Sequence, residues 1–437
     1  MAHFTDRSRL QTGSRCQRKR WWQYHAGTKG IGLSKVRKSA PLVTGAAVHE
    51  GFAHLLQFGG QAGGWTNLPT VSSPIIEGAV TKALNYFDTE LNVAQGGGLD
   101  YTPDEPGQQD STQDQSPDQM AAVDNAQQQW LIAQQKGLVE ALVRLSGIRI
   151  VPNLLRDFDV PLVEQEMAVR LPKSGAIFQS RADGLLRSKG TGEQYALSLK
   201  TVAQWSKWKD SEILVDAQGL TEPYVLEANG FGEVAGAQMI YLIKGREMWN
   251  SYERRPETYN HLIRAWADRS GASVEWAWKY NWTDPLTGRG RKLGSGYKPV
   301  YWFNEPDGVR VWMEMLATGQ VQPDIGGDPL GGWVMPTPIY RNQDQRQLWM
   351  DQADQAEVKV QEKLVQIAQG ADPLKVFAPP LDRITCTALG RCECWDLCWG
   401  PEWKRRGIEG PEESGEWVVR KPHHSGEKEM VDGNVAN

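Results

Sequence analysis

Three short segments in the middle of the chain alternate apolar and polar positions: PLVEQEMAVRL (161–171), AIFQSRADGLLR (176–187) and QYALSLKTV (194–202). A period of two marks strands with one buried face, and the Lys-Ser-Gly and Lys-Gly-Thr-Gly stretches between them are turn formers. The three predict an antiparallel run. In QYALSLKTV the alternation assigns Tyr195, Leu197 and Leu199 to a core face, and Ala196, Ser198 and Lys200 to the opposite face. Asp183 precedes a glycine near the end of the preceding strand. A hairpin that pairs in register brings it close to Lys200.

Helical periodicity flanks these strands. Residues 5–25 predict an amphipathic helix with a basic end, and a second helix is expected to start at Thr44 as N-cap, with Val48, Phe52, Leu55 and Leu56 on one face. Further helices are expected over 74–92, 121–145, 305–318 and 340–369, and one starting at TEPYVLEA (221–228), with Thr221 as cap. Segments 233–245 and 272–282 predict strands. Residues 94–120 are rich in Gly, Pro, Gln and Asp and too poor in apolar groups to offset ordering entropy, so they predict a disordered insertion. The pattern describes one α/β domain over 1–404, a mixed sheet flanked by helices, followed by a flexible polar tail over 405–437.

Composition narrows the function. A net charge of −5 excludes a globally basic nucleic-acid binder but leaves room for a local basic groove. There is no apolar run of about 18 residues, so no membrane span is expected, and the N-terminus lacks the apolar stretch of a signal peptide. Most of the 19 tryptophans are expected to fill the core. Five cysteines without secretory features point to metal ligation or free thiols in a reducing cytoplasm.

Four of those cysteines fall in CTALGRCECWDLC (386–398), and the fifth, Cys16, lies near the other end. Cys16, Cys386, Cys392 and Cys398 make four thiolates, with Cys394 left over. Four cysteine ligands can hold a 4Fe–4S cluster or a structural zinc, and the C-x2-C knuckle usual for zinc is missing. Such a group would join the termini. Arg15, Arg18, Lys19 and Arg20, beside Trp21 and Trp22, either track a DNA backbone or form a solvated helix face.

The segments GAAVHEGFAHLL, SRADGLL and YALSLKT, in that order, resemble the PD-(D/E)XK nucleases, and more narrowly their RecB-like branch. The resemblance implies a restriction-endonuclease-like sheet and metal-dependent hydrolysis of DNA, exonucleolytic on single-stranded ends, in recombination, repair or replication. It implies His49 and Asp183 as ligands of Mg²⁺ or Mn²⁺, the backbone carbonyl of Leu199 as a further ligand, and Lys200 and Asp183 as catalytic residues. The family's acidic position, two before the lysine, is here Ser198; Glu50, Glu164, Glu166 and Glu193 are the nearby substitutes. Gln218, Glu222 and Tyr224 are the closest fit to the branch's helical Gln-and-Tyr motif, ahead of Gln238 and Tyr241. The cysteine layout, one before the core and three after it, resembles the iron–sulfur subset that includes AddB-type and CRISPR-adaptation nucleases. Two other outcomes remain open at this level: a DNA-binding protein disabled by Ser198, and a zinc-stapled interaction protein.

Overall fold

The computed structural model describes residues 3–36, 38–59, 73–91, 135–202, 216–243 and 332–380, and shorter pieces that include 211–213, 386, 392–399, 417–422, 424–425 and 427–428. The expected helix over 305–318 lies outside the described residues. So do the insertion over 94–120, apart from 99–100, and the strand over 272–282, apart from the ends of two-residue strands at 276–277 and 282–283.

The first helix is two helices. α1 (Arg7–Arg15) and α2 (Gln17–Tyr24) break at Cys16, whose backbone is extended at φ −154° and ψ 110°. The break frees the Cys16 sulfur to cap α2, accepting the Lys19 N–H at 3.3 Å. α3 (Ala40–Gly59) starts a turn before Thr44, which is fully enclosed and donates its hydroxyl to Gln135 Oε1 at 2.7 Å. α4 (Ser73–Leu91) packs along α3. Residues 135–145 are helical and pass through a π-turn (Ser146–Ile150) into α5 (Val151–Asp157).

The sheet follows the alternation. β1 (Phe4–Thr5), β3 (Phe158–Arg170), β4 (Ile177–Ser188), β5 (Gln194–Val202), β6 (Gly236–Ile243), β7 (Gly332–Val334) and β8 (Ile339–Tyr340) form one mixed sheet; β2 (Leu33–Lys35) lies outside it. β3, β4 and β5 pair antiparallel, β5 and β6 pair parallel, and α6 (Gln218–Ala228) crosses between those two. α6 starts three residues before Thr221. The Asp216 carboxylate accepts the Gln218 N–H at 2.8 Å, and the Thr221 hydroxyl turns back to the Ala217 carbonyl at 3.0 Å.

Two apolar clusters lie on opposite faces of the sheet. Tyr195, Leu197 and Leu199 join α3, α4 and α5 in one. Ala196 joins Val225 and Leu226 of α6 and Met350 and Ala353 of α7 (Gln343–Ala368) in the other. Ser198 and Lys200 share the parity of Ala196 and therefore the α6 side.

Some described residues of the flexible tail expected over 405–437 are packed. β9 (Trp417–Val419) pairs antiparallel with β2, and Trp417 and Glu427 are buried, with Glu427 accepting from Arg9 and Arg420. The rest of 405–437, apart from a few residues, lies outside the described residues.

Candidate metal centre and thiol cluster

Pairing of β4 with β5 stops at Gly184–Leu197, and β1 takes up the same edge of β4 only at Ile177 and Phe178. Asp183 sits where the two strands part. Its Oδ2 accepts the Leu199 N–H at 2.6 Å, replacing a ladder bond with a carboxylate bond. Its Oδ1 lies 3.4 Å from His49 Nδ1 on α3. Glu164 on β3 falls opposite Asp183, between the pairs Val163–Gly184 and Gln165–Ala182. His49, Glu164 and Asp183 bring one ligand atom each to within 4.8 Å of one another, the only such trio among the described residues. One imidazole nitrogen and two carboxylates form a donor set that suits a small divalent cation.

Glu164 has φ 50°, the one non-glycine among the described residues at positive φ. That conformation is costly for a side-chain-bearing residue. Glu164 joins His49 and Asp183 and pairs with Arg181 at 3.0 Å, whereas Glu166 accepts from Gln179 and from the Ser425 backbone and hydroxyl.

Burial and the charge of Asp183 push the Glu164 carboxyl up to about 7. Burial also raises Asp183, but His49, the Leu199 N–H and Lys200 outweigh it and hold the carboxyl below its usual range. Burial disfavours charge on His49, and the Asp183 and Glu164 carboxylates overcome it, raising the imidazole. Lys200 is lowered by burial and by Arg7, against Asp216, Glu222 and Asp183. The same surroundings act on Glu222: burial, and then Asp183 against the opposing pull of Arg7, bring it up to about 7.

The remaining acidic candidates sit elsewhere. Glu50 pairs with Lys82 at 3.2 Å, and Glu193 accepts from Thr191 and Tyr195 at the hairpin turn. Ser198 is fully enclosed, and its hydroxyl has no hydrogen-bond partner among the described residues. Gln218 donates to Glu222 Oε1 at 2.8 Å, while Tyr224 packs against the core of the α6 face. Gln238 bonds the Pro336 carbonyl at 2.8 Å, and Tyr241 packs with Ile213 and Ile339. Glu222, expected only as part of the helical motif with Gln218 and Tyr224, stands one turn after Gln218 as a further buried acid near Lys200.

The basic run does not form an open stripe. Arg20 is buried and bidentate to Glu357, at 2.7 and 2.8 Å. Arg18 donates to the carbonyls of Leu374 and Phe377, and Lys19 pairs with Glu393 at 2.7 Å. Of the four, only Arg15 is exposed. Carboxylates of the C-terminal half offset the charges of Arg20 and Lys19, so the run presents fewer free charges than its composition suggests.

The thiols lie in one region, with Cys392, Cys394 and Cys398 in the apolar cluster around Trp21 and Trp22 of α2. Cys16 lies within electrostatic reach of Cys386, Cys392 and Cys398, and Cys394 touches Cys392. The Cys394 hydrogen bond brings Cys392 down to about 6, whereas burial pushes Cys398 up to about 12. No three of the sulfurs come within 4.8 Å of one another. Tetrahedral zinc at its usual bond length holds its sulfurs about 3.8 Å apart. The Trp22 indole N–H, buried without an oxygen or nitrogen acceptor, lies against Cys398. No helix among the described residues is long and apolar enough to cross a membrane. A scan of family models gives no match to the chain, and a search of curated proteins gives none either.

Proposed function

We propose that the protein hydrolyses phosphodiester bonds in DNA with a divalent cation, on a PD-(D/E)XK-like fold of the RecB-like kind, and acts on single-stranded ends. The observation that carries this reading is the convergence of His49, Glu164 and Asp183 beside Lys200. His49, Glu164 and Asp183 would hold Mg²⁺ or Mn²⁺, which would supply Lewis acidity toward water and the scissile phosphate. Asp183 is fixed for this task by the Leu199 N–H. Lys200 Nζ, held in a partly desolvated position, orients the attacking water and balances negative charge as the water oxygen bonds to phosphorus. The P–O bond to the leaving nucleoside then breaks; the attacking water gives up a proton to solvent and the departing oxygen takes one up from solvent, so the step consumes one water. His49 must give up the proton that Asp183 favours before it can ligate, so cation binding releases protons.

The thiols support a 4Fe–4S cluster held by Cys16, Cys386, Cys392 and Cys398, with Cys394 as a buried neighbour. Their spacing is wider than zinc requires, and the Lys19 and Trp22 N–H groups face sulfur. A reducing cytoplasm suits five free thiols.

The test is time-resolved degradation of end-labelled oligonucleotides with Mg²⁺ or Mn²⁺. Asp183→Asn and Lys200→Ala are each expected to slow cleavage at least about 100-fold. A wild-type protein that shifts DNA in a gel without shortening it selects the non-cutting reading, which the neutral Ser198 favours. Iron and acid-labile sulfide in anaerobically purified protein are expected; a colourless, zinc-loaded sample removes the cluster.

A further inference from the structure

Strand β5 carries Ser198 where a second strand carboxylate would sit beside Lys200, and that hydroxyl is sealed from solvent without a partner among the described residues. Across from it on α6, two more oxygens are in the same condition: Gln218 Oε1 and Glu222 Oε2, on side chains whose residues are 6% and 3% exposed. Arg7 Nη1 adds a buried donor, 3.8 Å from Glu222 Oε1. Each buried polar atom left unpaired costs about 1–3 kcal/mol, so the unpaired Gln218 and Glu222 oxygens, joined by the Gln218–Glu222 bond and faced by Arg7, are candidates for completion from outside the chain. Glu222 feels the charges of Asp183 and Lys200, and Lys200 feels that of Glu222. The unpaired set is dominated by oxygen acceptors, which are hard-cation ligands.

We infer that Glu222, on the crossover helix, supplies the carboxylate that β5 lacks at Ser198, and that it ligates the divalent cation together with Asp183 from the Lys200 side. The acid has moved from the strand to the helix packed over it. Gln218 holds Glu222 Oε1, leaving Oε2 as the ligating atom. Arg7 keeps the carboxylate from being an isolated buried charge. This inference rests on the cation site proposed above.

The experiment is Mn²⁺ binding to the full chain, followed by electron paramagnetic resonance of free Mn²⁺ without DNA. Wild type binds, Asp183→Asn does not, and Glu222→Gln binds about 10–100-fold more weakly. The double variant Ser198→Glu/Glu222→Gln returns affinity to within a few-fold of wild type, a rescue that a packing role for Glu222 does not produce. Glu222→Asp, which keeps the charge but withdraws it by one methylene, weakens binding in the same direction and serves where Glu222→Gln fails to fold. If Glu222→Gln binds Mn²⁺ like wild type while Asp183→Asn does not, the inference falls and the cation site stands. If folded wild type fails to bind Mn²⁺, both fall.

Discussion

Glu357 on α7 and Glu222 on α6 are both almost fully enclosed, at 0% and 3% exposure, yet their surroundings treat charge in opposite ways. Glu357 closes the N-terminal clasp. It accepts the Thr5 hydroxyl at 2.7 Å and the Arg20 guanidinium at 2.7 and 2.8 Å, and it lies 2.7 Å from His3 Nε2. Those partners overcome burial and hold its carboxyl below the usual range. Glu222 has one short bond, from an amide, and a distant guanidinium, and burial brings it up to about 7. Equal burial therefore does not give equal roles. The clasp pairs its carboxylate with charged and hydroxyl partners inside the chain, whereas Glu222 at the β5–α6 junction has no charged partner closer than Arg7, and an under-paired enclosed carboxylate near a lysine is what a binding function needs.

The hardest way to break this contrast is to remove each carboxylate's charge in turn. Glu357→Gln leaves Arg20 buried opposite a neutral group and is expected to lower unfolding free energy by about 3–5 kcal/mol. Glu222→Gln removes a charge that the fold already disfavours and is expected to change stability by less than about 1 kcal/mol in either direction. Urea denaturation of metal-free protein measures both. Equal losses would mean that the two glutamates are equally structural.

A second measurement sharpens the contrast by assigning acid sensitivity to the clasp. His25 is half-buried there, and burial of its ring, with Arg20, Arg9, His3 and Arg420 around it, holds its imidazole well below the ordinary value. The unfolded chain protonates this histidine below about pH 6.5 while the folded chain does not. Stability from this source is therefore whole above that pH and falls by up to about 1.4 kcal/mol per pH unit below it, until the folded group itself titrates. Glu357 extends the loss to lower pH, since its depressed carboxyl gives stability above the unfolded value of about 4.3 that vanishes as pH drops through the folded one. His25→Phe keeps an aromatic ring against Trp21 and Phe377 and is expected to flatten the stability profile between about pH 6.5 and about pH 5. An unchanged slope would place the acid sensitivity elsewhere.

The chain announced its strands more openly than its site. Alternation in QYALSLKTV was enough to separate Tyr195, Leu197 and Leu199 from Ala196, because a half-buried strand has only two faces. His49 and Asp183 were legible as residue types in a familiar order, and the structure brings them together. Glu222 was legible as a member of a helical motif but not as a neighbour of Lys200, since that nearness comes from the crossover that folds α6 back over β5, and no local pattern encodes that return. The basic run and the polar tail misled for a shared reason. Composition registers charges but not their partners, and Arg20, Lys19 and Glu427 are paired across more than 300 residues of chain or within the clasp. Cys16 looked like part of one long helix because the residues around it are helix formers; its extended backbone comes from the cap it makes to Lys19.

The smallest expected effect tests whether the site stores backbone strain that the clasp does not. At an ordinary strand position Gly is less stable than Ala by about 0.5–1 kcal/mol, because it loses more freedom on folding. At φ 50° the order should reverse, since an L-residue there pays about 1–2 kcal/mol that glycine avoids. Glu164→Gly and Glu164→Ala both delete the carboxylate, its contact with Arg181 and its cation ligand, so their difference isolates the backbone. The glycine variant is expected to be more stable than the alanine variant by about 1 kcal/mol, with both losing Mn²⁺ affinity to the same extent. Ala more stable than Gly would show that β3 relaxes to ordinary strand geometry at this position. Glu164 would then face Asp183 without strain, and the conformation would carry no information about function.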